Sequence, residues 1–185
     1  MPLQGRGHQG MARGTNGVQW LASNGCGPSR RALKRSAHAM ELTRKLAISP
    51  EEFFEQVEQS AIEDIERATG KRISPDKLHG FHYAKVVKQD KHTSKMKVKV
   101  RCCRPPERYQ VRFVYDQGSN TVTYEVEPAE GGCTVRYVEE FETARPTKGI
   151  GGMLHRKFYE GQVISKAKQT LSTIEKRAMK ARHTS

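Results

Sequence analysis

The chain has 185 residues, 35% of them hydrophobic, and a formal net charge of +13. That length holds one domain with its own core plus appendages, and the low apolar share predicts that part of the chain stays unpacked. No window approaches the roughly 18–20 apolar residues of a membrane span, and residues 1–39 lack the ~7–15-residue apolar segment of a secretory signal, so a cytoplasmic location is expected.

The charge is uneven. Residues 1–39 hold six Lys/Arg and no acid, and residues 144–185 hold ten against two, which leaves −1 for residues 40–143. The basicity therefore belongs to the two ends. The four cysteines, Cys26, Cys102, Cys103 and Cys133, form no CxxC and none is paired with histidine at ligand spacing. This is the pattern of reduced, intracellular usage.

Residues 1–39 are Gly-rich, with basic clusters at Arg30-Arg31 and Lys34-Arg35 and no packing periodicity. A disordered basic leader or a start-site artefact is expected there. As a leader it would read as a nucleic-acid-binding arm or a transit peptide. The foldable pattern begins at Met40.

Glu41–Ile48 is expected as a strand with Leu42, Leu46 and Ile48 on one face. Ser49-Pro50-Glu51-Glu52 then opens a helix by three signals: an N-cap serine, a proline at the first position, and a capping-box glutamate. Phe54, Val57, Ala61, Ile65 and Ala68 form its apolar stripe, and Gly70 is its expected left-handed end. Five strands follow, over Phe81–Lys88, Ser94–Arg104, Arg108–Asp116, Thr121–Glu127 and Cys133–Phe141. Alternation places Tyr83, then Met96 to Cys102, then Tyr109 to Tyr115, then Val122 to Val126, then Cys133 to Phe141 on one buried face. Tight turns between such strands describe an antiparallel meander. After the Gly-rich break at Lys148–Gly152, the chain is helical from Met153 to about Met179. The expected inward stripe is Leu154, Phe158, Gly161, Ile164, Ala167, Leu171, Ile174 and Ala178, and the rest of its surface is basic.

The order strand, helix, meander and long last helix resembles the helix-grip fold of the START-like or SRPBCC superfamily, which includes the birch-pollen allergen. This implies an α+β domain over residues 40–180 whose sheet wraps the last helix, with a disordered tail over 181–185. More narrowly, DIERATGKRISPDKLHGFHYAK (Asp64–Lys85), TYEVEP (Thr123–Pro128) and CTVRYVEE (Cys133–Glu140) resemble a bacterial family catalogued as domain of unknown function 3284. That resemblance spans about Met40–Phe141. It implies a fold, and the activity has to be argued from residues.

Those residues offer no catalytic or metal-binding constellation, and no cofactor is expected. His79 and His82 do not share a strand face and have no third ligand nearby. Glu139, Glu140 and Glu142 could suggest paired carboxylates for acid–base work, but Glu140 and Glu142 alternate outward, as do Glu125 and Glu127, where pairing with Lys97, Lys99 and Arg101 is expected, and no carboxylate dyad is assigned. Cys133 has no adjacent base and reads as a small buried hydrophobe. The Lys148–Gly152 turn precedes a helix, where phosphate binds readily, but it lacks the ending of a P-loop.

The leading expectation is a binding protein holding an unknown small apolar or amphipathic ligand between sheet and last helix. Its expected cavity residues are Val111, Phe113, Tyr124, Tyr137, Leu154 and Phe158, the tyrosines serving as polar anchors. The alternative is a surface module that meets nucleic acid or an anionic membrane through its basic ends. A third reading, a cyclase or hydrolase on the same fold, needs a polar dyad inside the pocket. The oligomeric state is left open.

Overall fold

The computed structural model describes residues 38–89, 92–116, 118–143 and 150–183, without the side chains of 38, 88, 89, 92, 143 and 150–160. Residues 1–37 of the expected 1–39 leader and the last two residues of the expected tail lie outside the described residues, while His38 and Ala39 belong to the first strand.

Six strands and two helices make up the architecture. They are β1 (His38–Leu46), α1 (Pro50–Thr69), β2 (His82–Gln89), β3 (His92–Arg104), β4 (Arg108–Tyr115), β5 (Gly118–Ala129), β6 (Gly132–Thr143) and α2 (Ile150–Arg182). The strands form one antiparallel sheet in the order β1-β6-β5-β4-β3-β2. The meander thus starts at one edge and closes against β1 at the other. The link between the edges is α1: its 20 residues give a rod of about 30 Å, and five strand gaps measure about 24 Å. This is the α+β helix-grip arrangement expected of the sequence, with five strands after the helix.

All three helix-start signals operate in α1. The Ser49 hydroxyl accepts from the Glu52 amide at 3.2 Å, and the Glu52 carboxylate accepts from the Ser49 amide at 2.7 Å. Gly70 ends the helix at φ +72°. Its buried side is broader than the expected stripe, because Phe53 and Ile62 join Phe54, Val57 and Ile65. Phe53 meets Tyr124 of β5 edge-on, with ring centroids 5.6 Å apart, and the far end of α1 packs Ile62 and Ile65 against Leu78.

Two local details differ from simple periodicity. Val163, not Ile164, is buried in α2, beside Met40 and Phe141, and Ile164 is exposed. The helix buries Val163, Ala167, Leu171 and Ala178, steps of four and seven that keep to one face. In β3 the register shifts between Val100 and Cys102. A bulge reverses the alternation beyond it. Cys103 then lies opposite Tyr109 and packs on the main core, where alternation had placed Cys102. Cys103 and Cys133 are free thiols.

α2 is tied down along its C-terminal half and continues three residues past Met179. Arg44 of β1 bonds Ser172 at 2.8 Å and Glu175 at 3.3 Å, and Glu175 in turn accepts from the Ala47 amide at 2.8 Å. Arg182 closes onto Glu52 at the start of α1. No helix among the described residues is long and apolar enough to cross a membrane.

Candidate functional site

Between the helix-covered face of the sheet, α1 and α2 lies a cavity of about 610 Å³, within the range of small-molecule sites. Its floor is β-structure. Val98 and Val100 come from β3, Val111 and Phe113 from β4, and Val122 and Tyr124 from β5. Period-two alternation puts all of them on one face, and β-branched side chains suit that pleated surface. Tyr137 of β6 completes the floor, while the walls come from both helices, where Val57, Ala61, Ile65 and Ile174 alternate with polar positions. Of the six expected cavity residues, Val111, Phe113, Tyr124 and Tyr137 line this space. Leu154 and Phe158 lie in α2, and their side chains are outside the described residues.

Four tyrosines face the cavity, and their hydroxyls divide into two kinds. Tyr83 donates to Asp64, and Tyr137 donates to Glu139. Tyr109 and Tyr124 have no hydrogen-bond partner among the described residues, so their hydroxyls are available to an occupant. Burial pushes both of these phenols above the usual range; the Cys103 thiol adds to this at Tyr109, and the Glu139 carboxylate adds to it at Tyr124. They therefore stay protonated and can donate at neutral pH.

At the α1 side, Asp64 gathers the other polar groups. Lys85 Nζ lies 2.6 Å from its carboxylate and 5.9 Å from the centre of the Phe113 ring. Burial alone would raise the Asp64 carboxyl, but the bonds from Lys85 and Tyr83 outweigh it and hold the group below its ordinary value. Burial first, and then Asp64, push the Tyr83 phenol up. This cluster is closed upon itself: the carboxylate is charged and fully used.

A second acid sits inside the sheet and was not anticipated. Glu139 is only 7% exposed. It accepts from Asn120 Nδ2 at 2.5 Å and from Tyr137, and it lies opposite Met40 in the β1–β6 register. Asn120 Oδ1 is buried without a partner. The signal was present, since Glu139 is two residues from both Tyr137 and Phe141 and alternation puts all three on one face.

The outward carboxylates pair differently from expectation. Glu125 takes Arg108 at 3.3 Å and Arg136 at 2.5 Å, and Glu142 takes Arg112 at 2.7 Å. Topology explains this. β5 and β6 do not adjoin β3, so Lys97 and Lys99 face Val114 and Arg112 of β4 instead. His79 accepts from the Cys103 amide at 3.3 Å, and no cluster of three metal-ligating side chains occurs among the described residues. Lys148 and Gly149 of the Gly-rich turn lie outside the described residues, as do Arg30–Arg35.

The comparisons follow from this geometry. Residues 40–160 match the family described as Domain of unknown function (DUF3284). The chain belongs to that family. The match runs beyond Phe141, where the sequence resemblance ended, into the first turns of α2. No curated protein sequence matches the chain. Among solved structures, this DUF3284 protein is similar to Ara h 8.0201, with a TM-score of 0.55 and 14% identity, over 77% of this chain and 98% of that one. A protein of unknown function, SA2116 from Staphylococcus aureus, gives 0.60 and 13% over 80% and 96%. The di-domain ARO/CYC StfQ from the steffimycin biosynthetic pathway gives 0.57 and 12% over 83% and 55%. Such identities show the fold alone: the DUF3284 chain has the α+β helix-grip fold.

Proposed function

We propose that this protein is a cytoplasmic binding protein that holds one small apolar or amphipathic molecule in the cavity between sheet and helices. The observation that carries the reading is the cavity floor itself. It is built from valines and one phenylalanine, with the unpartnered Tyr109 and Tyr124 hydroxyls among them. An apolar surface with a few convergent donors is what orients a small ligand. The alternative use of such a floor, solid packing against α2, would leave no space of this size. Native mass spectrometry of the protein purified from its own host tests the reading. A small-molecule adduct that is released on denaturation is expected, and a chain that always arrives empty argues against it.

A second reading, catalysis of the cyclase or hydrolase type, draws on Glu139, a buried acid that reaches the cavity only through the hydroxyl of Tyr137, which lines it and donates to the carboxylate. Incubation with the recovered ligand separates the two. A binder returns the molecule unchanged, whereas a catalyst transforms it and loses that ability on Glu139→Gln.

A further inference from the structure

The cavity opens between α1 and α2, and its rim is electrically one-sided. Four cations line the space: Arg67, Lys85, Lys166 and Arg177. Asp64 is the one acid among its lining residues, and it is consumed inward by Lys85 at 2.6 Å and by Tyr83. Arg67 reaches Asp64 only at 3.9 Å. Lys166 and Arg177 have no ion pair among the described residues and stand exposed on α2. Glu63 shares a shallow recess with Arg177 and accepts from Gln59 at 3.2 Å.

We propose that the ligand is an anionic amphiphile, with its apolar part on the valine floor and a carboxylate-type head group held at the rim by Arg67, Lys166 and Arg177. This rests on the binding reading above and narrows it to one chemical class. Electrostatic attraction at an apolar mouth discriminates by sign, because a cationic head in the same place meets like charges. The rim is solvated, so the preference weakens with salt.

The test uses the full chain and Nile red, a neutral apolar dye, as reporter. Decanoate, decan-1-ol and decylammonium then compete for the dye. Decanoate is expected to displace it at roughly tenfold lower concentration than decanol, a difference that shrinks as salt rises, with decylammonium weakest. The double variant Lys166→Glu/Arg177→Glu, altered only at exposed helix positions, should lose the decanoate advantage, so that decanoate competes no better than decan-1-ol. Decanol or decylammonium competing as well as decanoate overturns the proposal while the binding reading stands. An unchanged preference in the double variant also overturns it. Failure of Nile red and all three competitors to bind overturns both.

Discussion

Gly132 sits at the β5–β6 turn, where a Cβ would lie 2.0 Å from the carbonyl oxygen of Leu46. The obstacle is backbone at the end of β1, which cannot swing aside as a side chain can. Gly132→Ala should therefore cost about 2 kcal/mol or more in chemical unfolding. Gly131 is left-handed at φ +74° with open space around it, so Gly131→Asn should be nearly neutral. Equal effects at the two positions would contradict the close approach. Cys103 offers a chemical test at the same scale. Burial, and then the Glu58 carboxylate, push its thiol up to about 12. Only the thiolate reacts, so native alkylation at pH 8 should be roughly a thousandfold slower than for an ordinary thiol of pKa about 8.5. Denaturant should abolish the difference. The bulge that turns Cys103 inward was illegible because alternation carries no mark of an inserted residue. Glu139 was legible by that same alternation, because it shares the face of Tyr137 and Phe141.

The elements are held by caps and clamps whose contributions can be measured separately. Ser49→Ala removes the hydroxyl that caps α1 and should cost about 1 kcal/mol, with Ser49→Asp restoring most of it. Glu52 does double duty, since the Arg182 side chain binds it as well. That bond, first among its causes, lowers the Glu52 carboxyl from 4.5 to about 2. A depressed carboxylate stabilises the fold fully above its unfolded value, and the stabilisation disappears as protons bind. The Glu52 contribution should thus be complete above about pH 4.5 and fade as pH falls toward 2. Arg182→Ala should flatten stability across that window and change little of its pH dependence at neutral pH. A variant as acid-sensitive as the parent would contradict the clamp. The start of α1 was readable from Ser49-Pro50-Glu51-Glu52, because caps are local chemistry. The Arg182 clamp was not, since it joins residues 130 positions apart.

At the scale of the whole molecule, the order of elements was enough to anticipate the helix-grip fold. The strands alternate, the far end of β3 excepted, each turn is short, and an open sheet with one apolar face requires a cover. The sheet order follows from the same economy, with α1 long enough to carry the chain from edge to edge. What alternation could not show was how far α2 stands from the floor, and so whether Val111, Phe113, Tyr124 and Tyr137 enclose space or fill it. The central claim is that this space receives a ligand. Ala61, half-buried on α1, lines it, and a tryptophan there would occupy it without disturbing the strands. The direct measurement is a Nile red titration of the parent and Ala61→Trp, with circular dichroism to confirm that both are folded. One-to-one saturable binding by the parent, weakened at least about tenfold in the folded variant, is the predicted result. A parent that binds nothing, or a folded variant that binds as well as the parent, would contradict it.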